Sequence, residues 1–186
     1  MFSRYPFLVR PYLKTLDLDP ENQETPIHFI DSSIVSNHLF YRRNHFSSPK
    51  ISYPNFWFSI NGSVKTPLLL SLHNLKSLPS KTIKVVLECA GNKRNLFEPK
   101  VYGEQWEKGA ISQGYWRGVS LQTLLKLAGL NKEAKEVVIE GHDFGKRTDL
   151  DNVYSYTRSL PIEKALHPDT IIAYEYNNKP ISPFFF

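Results

Sequence analysis

The chain keeps a single cysteine in 186 residues, Cys89, in the stretch LECAGNKRNLF (87–97). A lone thiol is most simply read as a small buried hydrophobe. Here it ends a β-branched run and is followed by Gly91, where backbone can approach a neighbour closely, and by the cations Lys93 and Arg94. Nearby positive charge lowers a thiol pKa from its free value of about 8.5 and favours the thiolate. A thiolate is a nucleophile or a soft-metal ligand, which makes Cys89 a site candidate. One cysteine also excludes an internal disulfide and any zinc site built on two or more thiolates.

A second polar group lies upstream in LFYRRNHFSSP (39–49), where Arg42, Arg43, Asn44 and His45 stand between aromatic residues. Taken alone, this is equally a solvated turn with a satisfied histidine. Beside Cys89 it gains meaning: one thiolate with several Arg and His donors suits a metal centre that handles an oxyanion or a phosphate-bearing cofactor. Arg42 reads as added surface charge. His73 and His142 have no evident sequence partners and read as structural or exposed.

The elements that must position these groups are mostly strands. KTIKVVLEC (81–89) predicts a buried strand ending at the cysteine. NFWFSINGSVKTPLLL (55–70) predicts a hairpin turning at Asn61-Gly62. SLHNLKSLPS (71–80) predicts a short helix opened by Ser71 and stopped before Pro79. Residues 90–115 show little periodicity and read as a long functional loop. GVSLQTLLKLAGL (118–130) predicts a helix with Leu121, Leu124, Leu125 and Ala128 on one face and Gly129 at its C-cap. Strands follow at 136–141 and 152–161, then a short helix opened by Pro161, then a strand over 169–181 turning at Asn177-Asn178. The fold class expected is α+β, mixed and strand-rich. Residues 1–30 read as an extended N-terminal arm on a single domain over 31–186.

Composition narrows the function classes. A net charge of +5 carries no run of Lys or Arg, so nucleic-acid binding is not expected. Arg4, Arg10 and Pro11 interrupt any apolar N-terminal signal, and no apolar run reaches membrane-span length. A cytoplasmic protein with no membrane span is the expectation.

The ordered motifs YRRNH (41–45), CAGNKR (89–94), WEKGAIS (106–112), WRGVSL (116–121) and EGHD (140–143) together resemble one family. It is that of the molybdopterin-dependent oxidoreductases of the sulfite oxidase type. AYEYNNKPI (173–181) resembles a further family segment, with Asn178 in place of a turn glycine. The resemblance covers roughly residues 25–180. It implies a sulfite oxidase-type molybdopterin-binding fold with a molybdenum–molybdopterin cofactor. Cys89 would ligate the metal, and Asn44, His45 and Asp143 would contact the pterin. Arg43 and Arg94 would hold a small oxyanion, and Trp106 would wall its pocket, with Trp116 in the core. The implied reaction is oxygen-atom transfer that turns sulfite into sulfate, with electrons passed to a separate acceptor, a cytochrome or another carrier. A related enzyme acting on another oxide, such as a sulfoxide, is the alternative, as is a non-catalytic fragment. The family pattern continues beyond NNKPI into a His-Gly-x-Pro-x-Arg segment and a dimerisation domain. This chain is therefore expected to be incomplete at its C-terminus. No haem module is expected.

Overall fold

The computed structural model describes residues 12–49, 51, 56–146 and 151–181. Residues 1–11 of the expected arm and the apolar 182–186 tail lie outside the described residues. The fold is α+β and strand-rich, as the sequence predicts.

The described part of the arm lies on the body. Strands β1 (Lys14–Leu18) and β2 (Glu21–Glu24) form an antiparallel hairpin, and β3 (Arg42–Arg43) pairs with β2 on its other side. The sheet order β1-β2-β3 makes β2 the central strand. All four of its residues, Glu21, Asn22, Gln23 and Glu24, are buried despite being polar.

β4 (Trp57–Ile60) and β5 (Leu68–Ser71) pair in register from Trp57↔Ser71 to Ile60↔Leu68. The expected two-residue hairpin at Asn61-Gly62 is instead the start of a longer loop over 61–67, with Gly62 at φ 86°. Helix α1 (Leu72–Ser77) begins as predicted: the Ser71 hydroxyl accepts the Asn74 N–H at 3.1 Å, and the Asn74 side chain accepts the Ser71 N–H at 3.0 Å.

β6 (Ser80–Glu88) and β7 (Ile111–Ser120) pair without irregularity from Ser80↔Val119 to Glu88↔Ile111. β6 is not the buried strand expected. It is the edge of a four-stranded sheet ordered β11-β10-β7-β6, and its residues alternate between exposed and half-buried. β7 is a central strand and takes over the end of the expected 90–115 loop and the start of the expected helix. Helix α2 is shorter, Leu121–Ala128, with Leu121, Leu124, Leu125 and Ala128 buried and Gly129 at φ 69° as its left-handed cap. β8 (Glu136–Lys146) and β9 (Val153–Pro161) form a long hairpin, and α3 (Ile162–Ala165) follows. β10 (Ile171–Tyr176) turns at Asn177 and Asn178, both with positive φ, into β11 (Lys179–Pro180).

Strand β7 separates two cores. Trp116 joins Phe40, Tyr41, Trp106, Ala110 and Tyr176 in an aromatic cluster. Val119, an odd number of residues further along the strand, faces the other side with Leu75, Leu124 and Tyr174. Cys89 packs against the aromatic cluster, so the thiol meets the ring side of the sheet rather than the helix side.

Candidate functional site

Cys89 follows the last residue of β6 and opens a tight turn. Its N–H donates to Ala110 O at 2.9 Å, and its carbonyl accepts the Asn92 N–H at 2.8 Å. The Asn92 side chain closes the loop on both flanks. Its Nδ2 donates to Glu88 Oε1 at 2.8 Å, and its Oδ1 accepts the Ala110 N–H at 3.2 Å. The Gly91 N–H lies 3.4 Å from Cys89 Sγ and donates to it. The half-buried sulfur thus has a backbone N–H directed at it.

The close approach expected at Gly91 is made by Arg94 itself. A Cβ placed on Gly91 would stand 2.6 Å from Arg94 Nη2, and one on Gly103 would stand 2.5 Å from Nη1. The guanidinium lies between these two glycines, and Nη1 donates to Glu104 O at 3.0 Å. Its charge is thus fixed within the cysteine loop. Trp106, expected to wall a pocket, has no exposed surface and sits in the aromatic core, edge-on to Tyr41 with ring centroids 6.4 Å apart. Its indole N–H is buried and meets no hydrogen-bond acceptor among the described residues. Trp116 is core, as expected.

Tyr41 links this loop to the second group. Burial, reinforced by the charges of Cys89 and Glu88, pushes its phenol up to about 12. Two residues on, Arg43 is exposed and lines a cavity of about 940 Å³. Arg42, expected at the surface, is the buried one, with only 1% of its side chain exposed and Nη1 2.7 Å from Glu21 Oε2. The two neighbours differ because a buried carboxylate waits on one side of the strand only.

The cavity brings together Arg43, Asn44, His45 and Asp143; Cys89, Arg94 and Trp106 are not part of its lining. Asn44 is anchored on β2, its N–H donating to Asn22 Oδ1 at 2.8 Å and its Nδ2 to Glu21 O at 2.7 Å. His45 packs its ring on Phe46 and Tyr156, with centroids 4.6 and 5.7 Å away. Asp143 arrives on β8, its carboxylate folded over Gly141, where a Cβ would stand 2.3 Å from Oδ1. The apolar part of the lining comes from α1, α2 and β8, including Leu72, Leu75, Leu124, Leu125 and Val137.

Two lining residues were not legible as site residues. His142, expected to be structural or exposed, faces the cavity with its ring 5.3 Å from Phe56. Tyr156 reaches it only through the β8–β9 pairing, and nothing in the sequence spacing signals that register. Among the described residues no group of three or more His, Cys, Asp or Glu side chains can hold a metal ion. None of the described helices is long and apolar enough to cross a membrane.

Residues 45–184, which include Cys89, Arg94, Trp106 and Asp143, match the family model described as the oxidoreductase molybdopterin binding domain. The chain belongs to this family. Within it, the likeness is of the sulfite oxidase type. The mitochondrial sulfite oxidase of Drosophila melanogaster is 34% identical over 176 residues, covering 91% of this chain and 30% of that protein. The sulfite oxidase of Arabidopsis thaliana is 30% identical, covering 92% of this chain and 46% of that protein. The NADH nitrate reductase of Volvox carteri is 38% identical over 149 residues, which is 76% of this chain and 17% of that protein. The chain therefore spans less than half the length of these relatives. In fold it is similar to the sulfane dehydrogenase SoxCD of Paracoccus pantotrophus, with a TM-score of 0.77 at 24% identity, covering 98% of this chain and 48% of that one.

Proposed function

We propose that this chain is the catalytic part of a sulfite oxidase-type enzyme that holds a molybdenum–molybdopterin cofactor and oxidises sulfite to sulfate. The observation that carries this reading is the setting of the only thiol. Cys89 sits in a turn closed on both flanks, with a backbone N–H directed at its sulfur. When bound, the cofactor supplies two-electron oxygen-atom transfer, and the electrons pass to a separate acceptor such as a cytochrome.

The residues present fit that group. Cys89 offers one sulfur, and no cluster of three ionisable donors surrounds it among the described residues. Such a donor set suits a metal that brings further ligands with it. Asn44, His45 and Asp143 line one cavity and present the mixture of donors and acceptors that a pterin requires. Asn44 is already oriented by its two bonds to β2. Arg43 is the exposed guanidinium on that cavity and binds the oxyanion; Arg94, clasped by Gly91 and Gly103, adds a fixed positive charge to the cysteine loop. Tyr41 and Trp106 seal the ring side of the thiol against water, and Tyr41 keeps its phenolic proton throughout the neutral range.

A second reading keeps the cofactor and changes the substrate to another oxide, nitrate or a sulfoxide. The 38% identity to the Volvox nitrate reductase favours it. The chain loaded with cofactor separates the two. Sulfite-dependent reduction of ferricyanide or cytochrome c supports the first reading. Nitrate or sulfoxide reduction with a dye donor, and no sulfite oxidation, replaces it with the second.

A further inference from the structure

β2 lies outside the family-matched residues 45–184, yet it is bonded to both halves of the site. Towards the cavity, Asn22 and the Glu21 carbonyl hold the backbone and side chain of Asn44. Towards the cysteine loop, the fully buried Glu24 directs one carboxylate oxygen, Oε2, at two backbone donors, Glu107 N–H at 2.9 Å and Gly109 N–H at 3.2 Å. The adjoining Thr25 N–H donates to Gly109 O at 3.2 Å. The approach is so close that a Cβ on Gly109 would stand 1.8 Å from Thr25 O. The next residue, Ala110, is the one that grips the site. Its carbonyl accepts the Cys89 N–H at 2.9 Å and its N–H donates to the Asn92 side chain at 3.2 Å. The Glu24 carboxylate is thus tied by hydrogen bonds to the backbone of residues 107–109, and the next residue, Ala110, is hydrogen-bonded to the backbone of Cys89.

We propose that Glu24 is a positioning residue for Cys89: its carboxylate pins the 107–110 segment and so holds the cysteine turn closed. A carboxylate is suited to this because one oxygen can accept two N–H groups that would otherwise be buried without partners. Gly109 is required because no side chain fits between the segment and β2. The inference rests on Cys89 being the working thiol of the reading above. Its test, however, reads the thiol in the metal-free chain and can fail while that reading stands.

Cys89 is the only cysteine, so the rate at which the native chain reacts with a thiol reagent such as iodoacetamide or DTNB reports this turn alone. Glu24→Ala leaves two buried N–H groups unpaired, and local opening is expected to rise about tenfold, with the labelling rate rising in proportion. Glu24→Gln retains an oxygen in the same place and is expected to label within about threefold of the parent rate. Val119→Ala, a core change on the other side of the sheet at a residue outside the cavity lining, is expected to leave the rate unchanged. Should Glu24→Ala fail to fold, Glu24→Asp retracts the carboxylate by one methylene and is expected to speed labelling in the same direction. The proposal is overturned if the truncated or shortened side chain labels at the parent rate. It is also overturned if Glu24→Gln labels as fast as Glu24→Ala, or if Val119→Ala accelerates labelling as much.

Discussion

Arg42 Nη1 lies 2.7 Å from Glu21 Oε2, and the two side chains are 1% and 3% exposed. This pair fixes β3 to the centre of the N-terminal sheet and thereby decides which of two adjacent arginines reaches the cavity. With Arg42 turned inward to Glu21, Arg43 is the guanidinium left facing the cavity.

Removing one partner of that pair leaves the other buried without this counter-charge. Arg42→Met is expected to cost about 3–5 kcal/mol of stability, measured as the midpoint shift in urea unfolding, and the double variant Arg42→Met/Glu21→Met to recover most of it. A loss below about 1 kcal/mol in the single variant would mean the pair is solvated and does not organise the strand.

Arg43 behaves in the opposite way. As an exposed side chain its replacement in Arg43→Gln is expected to change stability by no more than about 0.5 kcal/mol. Loss of a charge-assisted bond to a bound anion should instead raise the KM for sulfite by about 10–100-fold. Steady-state kinetics on the loaded chain read this directly, and an unchanged KM would remove Arg43 from the substrate site.

Tyr41 gives a pH signature. Its phenol is raised from 10.0 to about 12, first by burial and then by the charges of Cys89 and Glu88. The folded state therefore holds this proton more tightly than the unfolded chain. The associated stability is fully present below pH 10 and is lost as the pH rises through about 12. Tyr41→Phe should flatten that alkaline loss. In an ultraviolet titration, Cys89→Ser should bring one late-titrating tyrosine to lower pH. A titration identical in the two proteins would mean the thiol and the phenol do not sense one another.

Much of this architecture is written locally. Ser71 with Asn74 marks the start of α1, the leucine stripe and Gly129 mark α2, and the Asn177-Asn178 pair marks the final turn. Each depends on residues within a few positions of one another. β2 is the opposite case. Glu-Asn-Gln-Glu reads only as part of a polar, extended arm, because its burial is made tolerable by partners far along the chain: Arg42, Asn44 and the amides of Glu107 and Gly109. β7 is split between two sequence readings: Gly114 falls in the aperiodic 90–115 stretch that reads as a loop, and Gly118 opens the stretch that reads as a helix. In the sheet a Cβ on Gly114 would strike the Tyr176 ring at 2.2 Å, and one on Gly118 would strike Ile172 O at 2.2 Å. These glycines permit close packing in a central strand instead of ending one.

The site was legible in its parts more than in its arrangement. Cys89, Arg43, Asn44, His45 and Asp143 stood out by residue type and motif. That Arg43, Asn44, His45 and Asp143 line one cavity, while Arg94 is clasped by Gly91 and Gly103 in the cysteine loop, depends on tertiary contacts that no local pattern encodes.

The central claim is that Cys89 anchors a molybdenum–pterin cofactor in this chain. The direct measurement is molybdenum and pterin content of the purified protein, expressed in a host that makes the cofactor, beside Cys89→Ser. The account predicts stoichiometric metal and pterin in the parent chain and loss of the metal in Cys89→Ser, with both proteins folded. A folded parent chain that carries neither, or a Cys89→Ser variant that keeps its molybdenum, would contradict it.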